Sequence, residues 1–254
     1  MTWDPAQYLA FAGHRLRPAM DLLARIPVEA PATVTDLGCG AGNATKMLAE
    51  RWPGARVTGV DSSAEMLARA REESPDIHWV EADVGAWKPD APVDVLFTNA
   101  TLHWLGDHAT LFPRLAGHVA PGGAFAVQMP ANFREPSHTL VHDAARAGPW
   151  RETLEPMLQD SPTGTPDFYY DLLAPHAKSL DIWQIEYLQA LTGDNPVVEF
   201  TKGTWLRPFL DALDEPQRSE FEADYRNRIR AAYPERAGGI TLFPFRRLFI
   251  VATL

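Results

Sequence analysis

Apolar and polar positions follow two periods along this chain, and their alternation predicts the elements. Val34-Thr35-Asp36-Leu37 is a short β-rich run that passes through an acid into glycines at alternate positions, Gly38, Gly40 and Gly42. Residues 44–51 then carry the spacing of an amphipathic helix. The pattern recurs. Residues 56–61 are largely β-branched and end at Asp61; 77–84 end in Ala82-Asp83-Val84; 93–100 carry Asn99 near their C-terminal end. A fifth run, 124–129, is launched by the turn Pro121-Gly122-Gly123. Strands alternating with helical stretches predict parallel pairing through right-handed crossovers.

The flanks read differently. Tyr8, Leu9, Phe11, Leu16, Met20, Leu22 and Leu23 predict an amphipathic helix within a lead-in over 1–28. Beyond the fifth run come a helix over 137–147, a loop rich in Pro, Gly and Asp near 159–167, and a period-two strand over 180–187. The stretch 197–233 reads as helix broken at Gly203, Pro208 and Pro216, and 248–252 as a final strand. The expected organisation is one domain over 1–254: a core at 33–130, the lead-in as a lid, and coverings at 135–178 and 192–240.

Glycine lets the backbone turn sharply off a strand end and pass close to a ligand. A dinucleotide fingerprint spaces its glycines G-x-G-x-x-G and brings a pyrophosphate to a helix N-terminus. Here the spacing is G-x-G-x-G with Asp36 just upstream. A carboxylate there repels phosphate oxygens and suits a ligand with a cationic amine, which is the signature of S-adenosylmethionine. Asp61 stands where a nucleoside ribose is held, its two oxygens accepting from both hydroxyls. Asp83 can accept from an adenine amino group while the flanking backbone reads the ring edge. Singly, each acid would be a helix cap or turn residue; polar punctuation at the same end of four strands points to one site. The expected cofactor contacts are Asp36, Gly38, Gly40, Asn43, Asp61, Ser62, Met66, Ala82, Asp83, Val84, Asn99, Ala100 and Trp104, with Arg17 and Tyr8 from the lead-in.

Composition narrows the classes. At 254 residues and 46% apolar content the chain can bury a sizeable core. A net charge of −10 argues against nucleic acid, whose phosphates need a basic face. Cys39, the single cysteine, excludes an internal disulfide and a multi-cysteine metal site; no metal is expected. No run approaches 18 apolar residues, and Met1-Thr2-Trp3-Asp4-Pro5 lacks a basic, then apolar, leader. The expectation is a cytoplasmic monomer with no membrane partner. The lysines are Lys46, Lys88, Lys178 and Lys202, so nearly all positive charge is arginine. Guanidinium binds a carboxylate in a planar fork, where ammonium is a point charge.

Several segments resemble the trans-aconitate 2-methyltransferases, a family of class I S-adenosylmethionine-dependent methyltransferases. They are Trp3-Asp4-Pro5-x-x-Tyr8-x-x-Phe11, the 36–43 loop, Gly59-Val60-Asp61-Ser62-Ser63, Glu81-Ala82-Asp83, Asn99-Ala100-x-Leu102-x-Trp104-Leu105, Ala126-Val127-Gln128-Met129-Pro130, Gly203-Thr204-Trp205-Leu206-Arg207-Pro208 and Arg247-Leu248-Phe249-Ile250-Val251-Ala252. Gly40-Ala41-Gly42 departs from relatives that have proline at the middle position. The resemblance implies an α/β, Rossmann-like sheet of seven mostly parallel strands, its antiparallel last strand inserted before the sixth, with a helical cap over the active face. It also implies methyl transfer to a carboxylate of trans-aconitate, a small tricarboxylate, giving a monomethyl ester and S-adenosylhomocysteine.

Attack of a carboxylate on a sulfonium methyl is an in-line displacement between anion and cation. The acid is already ionised at neutral pH, so no catalytic base is expected, His14 and His103 included. Substrate carboxylates call for arginine. Ligands of open α/β sheets bind at the carboxyl ends of parallel strands, where an antiparallel final strand would start. Arg246 and Arg247 stand there, and only one can point inward because side chains alternate; Arg247 is favoured. Arg207 and Trp205, and Gln128 at the end of the fifth strand, complete the expected substrate set. Three alternatives remain open: a methyltransferase for another acid such as a carrier-bound malonyl group, a nicotinamide-dependent oxidoreductase, and a non-catalytic S-adenosylmethionine-binding protein.

Overall fold

The structure, a computed structural model, describes residues 16–203 and 205–254. Tyr8, with Phe11 and His14, lies outside the described residues. Seven strands form one sheet: β1 Thr33–Leu37, β2 Arg56–Asp61, β3 His78–Glu81, β4 Val93–Asn99, β5 Val119–Pro130, β6 Ser179–Thr192 and β7 Ile240–Thr253, in the order β3-β2-β1-β4-β5-β7-β6. The pairs β1–β2, β2–β3, β1–β4 and β4–β5 are parallel, with Asp61 opposite Glu81 and Asn99 opposite Gln128. Strand order reverses between β1 and β4, so their carboxyl ends flank the switch point where such sheets open a crevice.

Strand β7 is antiparallel to its neighbours. Gly122 donates to the Leu254 carbonyl at 2.7 Å near the start of β5, and Ala131 donates to the Arg246 carbonyl at 2.9 Å just past its end. Rising numbers on β5 therefore meet falling numbers on β7. Lys178 N–H donates to Thr253 at 2.8 Å, and Glu186 pairs with Arg246, which sets β6 antiparallel to β7 in the same way. Six parallel strands with an inserted antiparallel seventh result, as the resemblance implied. One boundary moves. β7 begins at Ile240, so Arg246 and Arg247 sit in mid-strand rather than at its start. Pro244 and the two arginines hide that extension from a reading that treats proline as a strand breaker.

The helices begin for local reasons. α1 Arg17–Leu23 and α2 Asn43–Arg51 come first; α2 follows Gly42, whose φ of 84° only glycine adopts freely. The hydroxyl of Ser63 caps α3 Ala64–Glu73, and Asp107 caps α4 His108–Ala116. Proline opens α5 Pro136–Ala147, α7 Pro166–Leu173 and α8 Pro196–Lys202; α6 Arg151–Leu154 is a single turn. The stretch 197–233 does break after Gly203 and at Pro216, giving α9 Arg207–Asp211 and α10 Gln217–Ala232. Pro208, read as a third break, instead lies in the first turn of α9, where its missing N–H is no loss.

The chain divides into two compact units. The first comprises 16–129, Gly164–Gln184 and Leu248–Leu254, with Leu37, Val60, Phe97, Phe125 and Phe249 fully or almost fully buried. Residues 164–178, read from the sequence as part of a covering, group with this unit. The reason is α7: Tyr169 is fully buried, its ring 4.6 Å from Phe112, and its hydroxyl 2.8 Å from Nδ1 of His108. The second unit comprises Pro130–Thr163 and Ile185–Arg247, built around Val141, Phe221, Tyr225, Ile229 and Phe243. There the Tyr225 hydroxyl donates to the Ser137 carbonyl at 2.7 Å, tying α10 to α5.

Candidate functional site

In the first unit the expected cofactor residues between Asp36 and Trp104 lie at the carboxyl ends of β1 to β4 and in the segments that follow them. The turn after β1 is held down by Gly38 and Cys39 N–H groups, which both donate to the Val60 carbonyl, at 2.8 and 3.0 Å. Gly38 has φ 81°, and a Cβ there would overlap the side chain of Thr101. Beside Gly40, by contrast, a Cβ would meet nothing within 4 Å: the backbone faces open space. The Gly40 N–H donates to Oδ2 of Asp61 at 2.8 Å and the Ser63 N–H to Oδ1 at 2.9 Å. Loop and strand-end acid are thus one hydrogen-bonded unit. The Gly85 N–H donates to Asp83 at 2.8 Å, while Ala82 N–H donates to the Asp61 carbonyl at 3.0 Å. Val84 is buried; Asn43, Ser62 and Met66 are exposed on the same loop ends, and Trp104 is exposed on the turn Leu102–Trp104.

Buried polar atoms without a partner mark the place further. Asp36 is fully buried; Oδ2 accepts from the Thr45 hydroxyl at 2.6 Å, and Oδ1 has no partner. Oδ1 of Asn99 and both amide atoms of Gln128, opposite one another on β4 and β5, are also unmatched. Between them Ala100 takes φ 54°, a conformation that costs a non-glycine residue about 1–3 kcal/mol, and its N–H donates to the Gln128 carbonyl at 2.9 Å. Native interiors leave few polar atoms unsatisfied, so such a group calls for a ligand that completes it. An open glycine backbone, an acid at the end of β2 tied to that loop and unmatched polar atoms fit S-adenosylmethionine. Among the described residues no group of three or more His, Cys, Asp or Glu is placed to hold a metal ion.

Asp36 is the costly member. Burial above all, and then Asp61, push its pKa up to about 7, against the lowering effect of the Thr45 hydroxyl. From about pH 4 to pH 7 the folded chain keeps a proton that the unfolded chain releases, so stability falls as pH rises across that window, at up to about 1.4 kcal/mol per unit. Asp36→Asn removes this dependence. Its urea midpoint should gain on that of the wild type between pH 4.5 and 7.5; parallel profiles would show that Asp36 carries no such cost. Cys39 is inert by the same physics, since burial first, then Asp36 and Asp61, push its thiol up.

Residues the sequence reading missed support this geometry. Thr45 holds Asp36, and the Thr101 hydroxyl donates to the Gly38 carbonyl at 3.1 Å. His108 donates from Nε2 to the Leu102 carbonyl at 2.9 Å and accepts the Tyr169 hydroxyl at Nδ1, fixing the turn that carries His103 and Trp104. Nothing in spacing announces the contacts of Thr101 with Gly38 or of Tyr169 with His108, because those partners are distant in sequence. Arg17 is exposed on α1.

In the second unit the two adjacent arginines part as strand alternation requires. Arg246 reaches outward to Glu135 at 3.2 Å and Glu186 at 3.5 Å. Arg247 turns inward: its guanidinium lies 4.4 Å over the ring of Phe245, and Nε is buried with no partner. Arg207 does not join it. At the first turn of α9 its side chain is 67% exposed and bonds Asp211 at 3.0 Å. Trp205 packs among Phe133, His138 and Phe209, and its Nε1 is buried without a partner.

The comparisons with known proteins agree with this chemistry. Residues 34–123 match the family described as "Methyltransferase domain". The chain is 53% identical to the trans-aconitate 2-methyltransferase of Azoarcus sp. (strain BH72), over 99% of this chain and 98% of that one. It is 49% identical to the trans-aconitate 2-methyltransferase of Paracidovorax citrulli, over 98% and 97%. Among solved structures, the YcgJ protein of Bacillus subtilis has a TM-score of 0.62 at 15% identity, with 93% of this chain and 97% of that one covered. Phosphoethanolamine N-methyltransferase 2 of Haemonchus contortus, solved with phosphomonomethylethanolamine and S-adenosylhomocysteine, has a TM-score of 0.54 at 14% identity, over 93% and 52%. Likeness at those identities speaks for the fold alone.

Proposed function

Because this chain belongs to the trans-aconitate 2-methyltransferases, enzymes of the class I S-adenosylmethionine-dependent fold, we infer that it methylates a carboxylate of trans-aconitate, releasing a monomethyl ester and S-adenosylhomocysteine. The observation that carries the substrate class is Arg247, a half-buried side chain whose buried Nε lacks an acceptor. The cofactor, when bound, supplies an electrophilic methyl group on a cationic sulfur. The chain's own residues hold and align. Asp61, its oxygens oriented by Gly40 and Ser63, keeps lone pairs for the ribose hydroxyls. Asp83, with the backbone of Ala82 and Val84, reads the adenine; Asp36, Asn99 and the glycine turn take the amino-acid end. Arg17 is kept as a candidate for its carboxylate.

Arg247 grips a non-reacting carboxylate of the substrate, and Trp205 of the same unit supplies a neutral donor. Arg246 and Arg207, engaged in surface ion pairs, are left out of that role. No residue needs to remove a proton, since the acceptor is already an anion. Alignment and exclusion of water are the tasks, and proximity alone can supply about 7–11 kcal/mol. The net charge of −10 supports a reading without nucleic acid; among the described residues no helix is long and apolar enough to cross a membrane. A cytoplasmic monomer completes the proposal.

Radiolabelled methyl transfer across a panel of di- and tricarboxylates tests the reading, with trans-aconitate expected to turn over fastest. Its pH profile tests the mechanism. Burial holds His138 neutral, its pKa pushed down to about 4, so no histidine base is poised there. We expect kcat to lack a rising limb near pH 6.5, and His103→Gln to keep most of its rate. A rate climbing about tenfold per unit below neutrality, and abolished in that variant, would move the acceptor to a hydroxyl or amine.

A further inference from the structure

The second unit holds a set of uncharged polar groups of which the roles above use only Trp205. Asn132 is fully buried; its Nδ2 lies 3.4 Å from Nδ1 of His138, and its Oδ1 has no partner. The Ser137 hydroxyl lies 3.0 Å from the same Nδ1. One turn further along α5, Nε2 of His142 is buried and also unmatched. The Trp205 ring lies 5.1 Å from that of His138 and 6.3 Å from that of His142, so its unmatched Nε1 belongs to the same cluster. An indole N–H only donates, and nothing in a closed apolar core can answer it. Each orphaned group costs about 1–3 kcal/mol, and three in one aromatic cluster exceed what a purely structural core tolerates.

Burial lowers both histidines, with the His142 charge adding to the effect on His138 and the Arg146 charge to that on His142. The cluster is therefore uncharged near neutrality. It is also tied to β7, because Ala131 N–H donates to the carbonyl of Arg246, next to Arg247. We propose that Asn132, His142 and Trp205 form a neutral subsite for a second carboxylate of the substrate, complementing the single guanidinium of Arg247. This rests on reading the substrate as a small polycarboxylate. The indole donates to one oxygen and neutral His142 to another. Asn132 offers its amino group once the amide is turned over, its carbonyl then accepting from Nδ1–H of His138. Uncharged donors select by number and direction, and so by where carboxylates sit along a carbon chain. The atoms lie under neighbouring side chains, and the ligand reaches them by displacing part of that cover.

Two variants isolate the polar groups. Trp205→Phe keeps a ring and deletes the N–H; Asn132→Leu keeps the volume and deletes the amide. Trans-aconitate is titrated calorimetrically into protein saturated with S-adenosylhomocysteine, with kinetics and unliganded thermal unfolding beside it. Each variant should bind trans-aconitate at least tenfold more weakly, with KM raised in step and kcat within about threefold. S-adenosylhomocysteine affinity should be unchanged and Tm equal or higher. Wild-type affinity and KM in both variants would overturn the subsite, as would a lowered Tm with substrate binding intact. If Trp205→Phe does not fold, Asn132→Leu decides alone. Failure of the wild type itself to bind or methylate trans-aconitate would overturn the polycarboxylate premise instead, so the two failures are distinct.

Discussion

Arg247→Met is expected to lower kcat/KM for trans-aconitate by on the order of 10²–10³-fold while making the unliganded protein more stable. Both effects have one cause. The side chain is half-buried, its Nε is buried without an acceptor, and the ring of Phe245 compensates only in part. Burial pulls its pKa down to about 10, with Tyr187 opposing. A cation whose folded pKa lies below its unfolded value costs stability at every pH below the folded value, and the cost is relieved only as pH rises past it. At pH 7 it is fully present, so its removal should raise the urea-derived stability by about 1–2 kcal/mol.

In the complex the sign reverses. Deleting one partner of a buried charge pair costs about 2–5 kcal/mol, because the other is left desolvated. Arg247→Lys keeps the charge but loses the planar fork and should recover little activity. The dicarboxylate that lacks the gripped group should be far less sensitive to either change. A variant that loses stability, or that depresses both acids equally, would make Arg247 structural and leave the tricarboxylate assignment to family membership alone.

Asp61→Ala should weaken S-adenosylhomocysteine binding by at least tenfold in calorimetric titration. Hydrogen bonds to a charged acceptor are worth about 1.5–3 kcal/mol each before water compensates, and the ribose offers two. A second loss is built in, since the same carboxylate holds the Gly40 and Ser63 N–H groups. Asp61→Asn separates the two: its single carbonyl can keep one of those bonds but lacks the charge, so it should fall between wild type and alanine. Unchanged affinity in Asp61→Ala would take this residue out of the ribose site.

Much of the cofactor half was legible before any coordinates. β1, β2 and β4 begin and end within a residue of where β-branched runs and punctuation put them. The glycines of the 36–43 loop do adopt positive φ, and Asp61 does meet the loop. These features are local. A strand that must end in a turn needs glycine there whatever surrounds it, and an acid at the last position of a strand has few places to point. The second unit was less legible. His138 and His142 sit on α5 at positions that read as one more polar stripe, and Asn132 as a loop residue; only the packing of Trp205 and Phe133 on them shows a covered polar cluster.

The amino-acid sequence by itself determined the alternation of strands and helices, the polar residues at the carboxyl ends of the strands, and the arginine-rich charge suited to carboxylates. Each follows from propensity and spacing over a few residues. Tertiary structure decided which of those arginines are taken up by surface ion pairs and which is not. Arg246 and Arg247 are neighbours of identical chemistry, and the period of an extended β7 sends one to Glu135 and Glu186 and the other inward. Arg207 looked as good as either until α9 placed it beside Asp211 in solvent. Burial is a sum over contacts from elements far apart in the chain. So a residue's desolvation, and whether its polar atoms find partners, is a property of the fold that no local window contains.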